Sequence, residues 1–238
     1  MNCYSVLAKY YDVLMGDFDY DGYVAFLKSL LSGEGVDLCC GTGNIAIELA
    51  DYCTMTGVDF SSQMLNVATE KARKAGKRVV WVNQSVEDFA PSHPVDFVTC
   101  VCDGFNYLDS KTLAKTLDKI SGYVKVGGKL VFDVSSSYKL REVLGDNTFC
   151  EDYDDITYIW NNTFNEDGEC VEMQISFFEK QKGDTYLRID EEHTQYAHDT
   201  QDIINLLKEK WSVQVYDAEG MAQPVERTQR VLFVATKK

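Results

Sequence analysis

The stretch around Gly41 combines an acid, two glycines and a helical pattern in the order expected of a nucleotide-binding turn. A short apolar run contains Asp37, the turn carries Gly41 and Gly43, and a helical pattern with Ile45 and Leu49 on one face follows. Glycine adopts dihedrals that other residues avoid and lets a ligand approach the main chain. The new helix directs unpaired N–H groups at that ligand. The segment predicts a strand, a turn and a helix that hold an adenine-nucleotide-like cofactor.

The glycines alone do not separate NAD from other adenosyl cofactors, because Gly41, Gly43 and Ala46 also satisfy the dinucleotide fingerprint with alanine in third place. Two carboxylates shift the balance away from NAD. Asp37 precedes the first glycine by four residues, and Asp59 ends the second predicted strand. The chain also closes on a strand pair after its fifth strand, where a dinucleotide domain would add a sixth parallel unit.

Strand and helix patterns alternate on both sides of this turn. The helix after Asp59 is expected to begin at Ser61 or Ser62 and to end at Gly76. The pattern predicts an α/β fold, Rossmann-like, with a seven-stranded and mostly parallel sheet and helices on both faces. The strands are predicted at about 35–39, 54–59, 79–82, 95–102, 129–134, 213–216 and 230–236.

The pattern changes at about residue 148. Three runs with apolar residues at every second position, 156–164, 171–177 and 185–196, predict an inserted antiparallel three-stranded sheet with one apolar face. About 48 residues cannot bury a core alone, so this segment is expected to be an insertion. Residues 1–147 and 197–238 would form the cofactor domain, and 148–196 a subdomain that covers the substrate.

Composition narrows the function classes. The 238 residues are 45% hydrophobic, enough for a sizeable core. With 23 basic and 38 acidic residues the net charge is −15, which disfavours nucleic acid as a partner. No signal peptide, apolar run of membrane length or metal-ligand spacing is recognised, and the eight cysteines are expected to be reduced. We expect a cytoplasmic protein without a metal, a monomer or a homodimer.

The segment from Asp37 to Gly43 matches the first motif of the class I S-adenosylmethionine-dependent methyltransferases, and the chain resembles that family over residues 1–145 and more weakly in its last helix and strands. Tyr11-Asp12-Val13-Leu14-Met15 resembles a segment near the start of small bacterial methyltransferases. The resemblance departs at Cys39, where many relatives have glycine, and at Ser85, where they have aspartate.

The resemblance implies S-adenosyl-L-methionine as the cofactor, with its methionine and ribose along the turn at 39–43. It implies that Asp59 accepts both ribose hydroxyls, a role that suits a carboxylate with room for two donors. Adenine recognition would rest on the Val86 N–H and the Ser85 hydroxyl. The full set of expected cofactor-binding residues is Tyr11, Asp37, Cys39, Gly41, Gly43, Asp59, Phe60, Met64, Gln84, Ser85, Val86 and Asp103.

The loop from Cys102 to Leu108 follows the fourth strand at its carboxyl end, where open α/β sheets hold their ligands. By resemblance it lies between the cofactor and the methyl acceptor, although Asp103 is also placed to cap a helix. Asp103 and His193 are the catalytic candidates. His193 shares strand parity with Leu187 and Ile189, so it points under the inserted sheet, either as a general base or as a structural histidine.

Three residues are expected to contact the acceptor, namely Asn106, Tyr158 and Trp160. The aromatic pair could stack on a substrate or cage a cation, or simply form core. These observations predict a methyltransferase that acts on a small molecule by N- or O-methylation, with the inserted sheet selecting the acceptor and leaving cofactor binding alone. Two alternatives stay open: a nicotinamide-dependent oxidoreductase, and a regulator that binds the cofactor without catalysis.

Overall fold

A computed structural model describes residues 7–238, so the first six residues of the predicted cofactor domain lie outside the described part of the chain. The helices are α1 (Leu7–Leu14), α2 (Tyr20–Leu30), α3 (Asn44–Leu49), α4 (Ser62–Ala75), α5 (Ser110–Tyr123) and α6 (Thr200–Leu207). The strands are β1 (Gly33–Leu38), β2 (Cys53–Asp59), β3 (Val79–Asn83), β4 (Val95–Cys100), β5 (Val124–Ser135), β6 (Thr148–Asp152), β7 (Ile156–Asn165), β8 (Cys170–Lys180), β9 (Tyr186–Tyr196), β10 (Trp211–Asp217) and β11 (Arg230–Lys237).

The larger sheet has seven strands in the order β10-β11-β5-β4-β1-β2-β3. All neighbours are parallel except that β11 runs antiparallel to both β5 and β10. This confirms the predicted seven-stranded, mostly parallel sheet. The strand order reverses between β1 and β4, and that reversal opens the crevice in which sheets of this kind bind ligands.

Helices cover both faces of this sheet, because successive strand side chains point to opposite faces. On one face Leu130 and Phe132 of β5 belong to a core that includes α5 and α6. On the other face Val131 of the same strand packs in a core with α2 and α3. The two cores cover both faces of the sheet, so the loops at its carboxyl edge are the part left to bind ligands.

The predicted helix ends after β2 are confirmed at atomic level. Ser61 caps α4 by accepting a hydrogen bond from the Met64 N–H at 3.2 Å, so Ser61 is the cap rather than Ser62. Gly76 ends the helix in the left-handed conformation, with φ of 67°. These local signals fix where the chain leaves β2, next to the expected cofactor site.

The second sheet is antiparallel and has four strands in the order β6-β7-β8-β9, so the prediction of three strands is wrong by one. The extra strand, β6, pairs with β7 from Thr148 to Asp152. It is a five-residue edge strand in which only Phe149 turns inward, against Trp160, and its other residues are exposed. One apolar residue among polar and acidic ones leaves no period-two pattern to detect.

The second sheet packs its inner face on α1 and on a π-helical turn, Lys139–Leu144, that follows β5. The strands span residues 148–196, which is the segment expected as an insertion. Its separate role as a subdomain stays a prediction. None of the helices within residues 7–238 is long and apolar enough to cross a membrane. The seven cysteines in that range are free thiols.

Candidate active site

A pocket opens at the carboxyl ends of β1 and β4, at the point where the strand order reverses. It is lined by Tyr11, Tyr20, Asp37, Cys39, Cys40, Gly41, Thr42, Asn44, Ile45, Val101 and Cys102. Four of these, Tyr11, Asp37, Cys39 and Gly41, belong to the set that the sequence predicts for the cofactor. Tyr11 reaches the pocket from α1, whereas the other three come from β1 and the turn after it. Burial raises the pKa of Tyr11 well above its ordinary value, so its hydroxyl stays a donor.

The backbone around this pocket is strained at three residues that are not glycine. Cys39 after β1 has φ of 52°, and after β4 Cys102 and Asp103 have φ of 64° and 52°. A side chain in this left-handed region costs about 1–3 kcal/mol, and such costs concentrate at functional sites. The resemblance predicts glycine at position 39, and the chain holds a cysteine there in the conformation that glycine adopts most easily. Both strand ends that border the pocket are strained in the same way.

The two glycines of the turn have different roles. A Cβ atom added at Gly41 would meet no atom of residues 7–238 within 4 Å, so this side of the turn is open, as a ligand lying along the main chain requires. A Cβ at Gly43 would lie 2.6 Å from the Trp81 ring and 3.1 Å from the Ala68 side chain. The expectation that glycine at 43 leaves space for the ligand is wrong. Gly43 is small because α4 and β3 pack against it.

This contrast predicts that Gly43→Ala loses more thermal stability and that Gly41→Ala loses more cofactor affinity. Both variants place a side chain at positive φ, which costs about 1–2 kcal/mol. Gly43→Ala adds overpacking against Trp81, about 1–2 kcal/mol more, and should melt at a lower temperature. Gly41→Ala should lose more affinity for S-adenosylhomocysteine. Thermal melts and calorimetry on the two variants check this, and a larger affinity loss in Gly43→Ala would contradict it.

Asp59 is positioned to hold a diol. Its Oδ2 accepts a hydrogen bond from the Gly41 N–H at 2.9 Å, and its Oδ1 accepts one from the Ser61 N–H at 2.9 Å. Each carboxylate oxygen has two lone pairs, so each keeps one acceptor position for another donor. Burial raises the pKa of Asp59, and the two N–H groups oppose that rise. The geometry fits the expected ribose contact and also ties β2 to the glycine turn.

Asp37 lies beneath the turn, where burial raises its pKa to about 7. The carboxylate accepts a hydrogen bond from Thr99 Oγ1 at 2.7 Å, which works against this rise, and the charge on Asp59 adds to it. An acid that lines the pocket and is half ionised near neutral pH can bind a cation by losing its proton. The ammonium group at the amino-acid end of S-adenosylhomocysteine is such a cation.

Affinity for S-adenosylhomocysteine should therefore fall as the pH is lowered through 7. Asp37 is mostly ionised above its pKa and mostly protonated below it. The ionised fraction at pH 6 should be about one tenth of that at pH 8, and the affinity should fall by the same factor. Calorimetry at a series of pH values measures this. Asp37→Asn should bind weakly with a flat profile. A flat profile in the parent protein would exclude Asp37 as the group that meets the ammonium.

Next to the pocket, Asp103 belongs to a buried ion-pair network that is absent from the sequence-based predictions. Asp133, fully buried on β5, accepts hydrogen bonds from the N–H groups of Cys102 at 3.1 Å and Asp103 at 2.7 Å. Its Oδ1 also lies 2.8 Å from Arg230 Nη1. Arg230 Nη2 is 3.4 Å from the Asp103 carboxylate, which also accepts from Ser135 Oγ at 2.7 Å. Asp133 thus clamps the strained turn after β4.

This network fixes the charge of Asp103. Burial acts to raise the pKa of Asp103, but Arg230, Lys139 and the Ser135 hydroxyl together hold it below its ordinary value. Asp103 is therefore an anion at neutral pH and a weak base. Burial and the charge of Arg230 lower the pKa of Lys139. A signal for Asp133 exists in the sequence, because it interrupts an apolar strand as Asp37 does.

His193 and Glu191 lie side by side under the second sheet, each with a side chain that is 1% exposed. His193 Nε2 is 3.4 Å from a Glu191 oxygen, and the imidazole meets the Tyr107 ring edge-on with centroids 6.1 Å apart. Tyr107 belongs to the 3₁₀ turn Gly104–Tyr107 that follows β4. The predicted inward direction of His193 is confirmed. Its role as a base stays a prediction.

Asn106, expected to contact the acceptor, is fully buried. Its Nδ2 donates to the carbonyl oxygens of Ser135 at 3.1 Å and Tyr196 at 2.9 Å, and its Oδ1 accepts from the Ser135 N–H at 2.9 Å. These three bonds use both N–H groups of the amide and one of the two acceptor positions of its oxygen. Asn106 therefore ties the loop after β4 to β5 and β9, and its contact with an acceptor stays a prediction.

Tyr158 and Trp160 lie on the inner face of β7 as predicted. Tyr158 packs near Phe177 of β8, with ring centroids 6.3 Å apart, and Trp160 packs near Phe149, 5.5 Å apart. Both are half-buried members of the apolar layer under the second sheet. Their surroundings are those of core residues, and contact with an acceptor stays a prediction for them.

The remaining expected cofactor residues lie beyond β2 and β3, on the far side of Asp59. Phe60 is 55% exposed, whereas Met64 is buried in the first turn of α4. The Gln84 N–H donates to the Asp59 carbonyl oxygen at 3.1 Å, and Ser85 Oγ donates to Asp88 at 3.0 Å. Val86 is 9% exposed. They surround the carboxyl ends of β2 and β3, and their contact with adenine stays a prediction.

Comparisons with known proteins agree with this geometry. A family described as a methyltransferase domain matches residues 36–128. The Bacillus subtilis (strain 168) protein YqeM, whose name assigns it provisionally to the methyltransferases, is 32% identical over 98% of this chain and 97% of its own length.

Two solved structures share the fold. An S-adenosylmethionine-dependent methyltransferase from Clostridium acetobutylicum ATCC 824 is 32% identical, with a TM-score of 0.88 over 99% of both chains. The sugar N-methyltransferase KedS8 from Streptoalloteichus sp ATCC 53650 is 17% identical, with a TM-score of 0.76 over 96% of this chain and 92% of its own. The chain belongs to the S-adenosylmethionine-dependent methyltransferases.

Proposed function

We propose that this enzyme methylates a small molecule held between the cofactor pocket and the second sheet. The observation that carries the proposal is that the second sheet covers the loop after β4. Tyr107 of that loop lies against His193 of β9, and Tyr11 of α1 lines the pocket. A polymeric acceptor needs an open surface of complementary charge. Here the second sheet covers the loop, and the net charge of −15 repels a nucleic acid.

The chain's residues divide the work between the two sides of the pocket. The residues fitted to hold the cofactor are Asp59, with two free acceptor positions, Asp37, and the open main chain at Gly41. When bound, S-adenosyl-L-methionine supplies a methyl group on a sulfonium that is already activated. The protein's part is to orient the acceptor and to exclude water. Asp103, held as an anion by Arg230, favours a polar or cationic acceptor.

His193 is proposed to take the acceptor's proton, with Glu191 holding the imidazole in place. A hydroxyl acceptor needs such a base, whereas a neutral amine needs little help. His193→Gln should therefore reduce turnover strongly for O-methylation and only slightly for N-methylation, with cofactor affinity unchanged. Measuring turnover of this variant on any acceptor found distinguishes the two chemistries. Unchanged turnover on a hydroxyl acceptor would remove His193 from the mechanism.

The experiment that tests the proposal follows the methyl group. The enzyme is incubated with methyl-labelled S-adenosyl-L-methionine and a cell extract separated into small molecules, nucleic acids and proteins. Label is expected in the small-molecule fraction and should be strongly reduced with the Asp59→Ala variant. Label in the nucleic acid or protein fraction would overturn the proposal. A chain that binds S-adenosylhomocysteine yet labels no fraction would favour the regulator alternative.

Two further expectations belong to this proposal. Residues 148–196 act as the cover of the acceptor side, and the remainder forms the cofactor domain. The chain works as a monomer or a homodimer without nucleic acid. Sedimentation of the purified protein, with and without S-adenosylhomocysteine, measures the oligomeric state directly.

A further inference from the structure

Helix α1 is anchored on one side to the cofactor turn. Asp12 Oδ1 accepts hydrogen bonds from Thr42 Oγ1 at 2.7 Å and from Asn44 Nδ2 at 3.1 Å. Lys71 of α4 lies 2.6 Å from the other oxygen of the same carboxylate. Thr42 and Asn44 line the pocket, so Asp12 is bound to the residues that border the cofactor site.

The opposite side of α1 is anchored to the second sheet. Leu7, Tyr10 and Leu14, spaced to share one helix face, pack on the apolar layer of β7 and β8. The Tyr10 hydroxyl donates to Glu179 Oε1 at 2.7 Å, and the Lys9 ammonium pairs with the same carboxylate. Glu179 lies near the end of β8, and its side chain is 16% exposed.

Tyr11 lies between these two anchors and lines the pocket. Because Tyr11 and the turn residues Thr42 and Asn44 line one pocket, a cofactor seated along the turn contacts α1. Contacts that hold α1 down should therefore slow cofactor release. We infer that the second sheet sets the residence time of the cofactor through α1, with Glu179 as a positioning residue.

The second sheet has a role beyond the one expected from the sequence. The sequence predicts that the sheet selects the acceptor and leaves cofactor binding alone. With α1 bound both to the turn and to Glu179, the sheet also retains the cofactor. The inference rests on cofactor binding at the turn and not on the class of acceptor, so an acceptor screen that finds a polymer would leave it standing.

The test measures release of S-adenosylhomocysteine from the full chain by stopped-flow competition. Glu179→Ala should release it about tenfold faster than the parent, the scale expected for a charged hydrogen bond partly screened by solvent. Tyr10→Phe, which removes one hydroxyl, should act in the same direction and less. Release at the parent rate from both variants would overturn the inference.

Asp190→Ala is the matched control. Asp190 is a carboxylate on β9 that accepts hydrogen bonds from Ser176 Oγ at 2.6 Å and Arg188 Nε at 2.9 Å, and among the described residues these partners belong to the sheet. Release from this variant should stay within about twofold of the parent. An equal acceleration in Asp190→Ala and Glu179→Ala would mean that general weakening of the sheet is the cause, and would overturn the role of Glu179.

A double-mutant cycle tests whether the two anchors act through one helix. Once α1 is released on one side, loss of the other anchor should matter less. The double variant Asp12→Ala/Glu179→Ala should therefore release the ligand faster than either single variant, but by less than the product of the two single accelerations. Strictly multiplicative effects would show that the anchors act independently, which contradicts the inference.

Discussion

Asp133→Asn is expected to be the most destabilising of the substitutions considered. Asp133 is fully buried, and its carboxylate accepts from the N–H groups of Cys102 and Asp103 and pairs with Arg230. In the variant Arg230 keeps one carboxylate partner instead of two. The new amide NH₂ group of residue 133 would also face the N–H groups of Cys102 and Asp103, and two donors cannot bond to each other. Removing one partner of a buried pair costs about 3–5 kcal/mol. Since 1 kcal/mol moves the melting temperature of a chain this size by roughly 2–4 °C, the midpoint should fall by roughly 6–20 °C.

The matched control for this prediction is Asp118→Asn. Asp118 pairs with Lys210 at 2.6 Å, but both side chains are at least half exposed, so screening by solvent makes the pair weak. Its midpoint should stay within a few degrees of the parent. Thermal melts of both variants at one pH make the comparison. A loss in Asp133→Asn no greater than in Asp118→Asn would mean that the buried network does not stabilise the turn after β4.

Asp59→Ala is expected to have the largest effect on cofactor binding. The carboxylate keeps one acceptor position on each oxygen after bonding to Gly41 and Ser61, and hydrogen bonds to charged groups are worth about 1.5–3 kcal/mol. Affinity for S-adenosylhomocysteine should drop by roughly 10- to 150-fold, measured by calorimetry. The variant should also melt earlier, because two N–H groups of the turn lose their acceptor.

Asn83→Ala separates the ribose role from support of the turn. Asn83 Nδ2 donates to the carbonyl oxygens of Asp59 at 3.0 Å and Phe60 at 2.8 Å, so it braces the same chain segment through N–H donors and leaves the Asp59 carboxylate in place. Its affinity should stay within a few fold of the parent. Equal losses of affinity in Asn83→Ala and Asp59→Ala would assign the effect to the turn's shape, and the ribose role would be wrong.

The elements of the fold could be predicted where capping residues and the spacing of apolar residues indicate the same structure. Helix α4 begins after Ser61 and ends at Gly76 as predicted. Both ends depend on residues that are local in sequence, a capping serine and a glycine in the left-handed conformation. The buried strands of the large sheet were readable as continuous apolar runs. The short edge strand β6 was not, because pairing with β7 forms it and its own sequence carries almost no pattern.

The site was readable in part for the same reason. Asp37 precedes the glycine turn by a fixed spacing and lines the pocket, and Asp59 ends β2 and bonds to the N–H of Gly41, which also lines it. The partnership of Asp133 with Arg230 joins residues 97 positions apart, and only the antiparallel pairing of β11 with β5 brings them together. Gly43 was misread because its neighbour, Trp81, comes from a different strand. The bonds of Asn106 were not readable because its partners, Ser135 and Tyr196, lie on β5 and β9.

Calorimetric titration of the parent protein with S-adenosylhomocysteine and, separately, with NAD is the most direct test of the assignment. Saturable binding of S-adenosylhomocysteine at one site is expected, and no binding of NAD. At a hundredfold excess over Kd the ligand should stabilise the fold by about 2.7 kcal/mol and raise the melting temperature by roughly 5–10 °C. Binding of NAD with no binding of S-adenosylhomocysteine would contradict the cofactor, the roles of Asp37 and Asp59, and the proposed methyl transfer together.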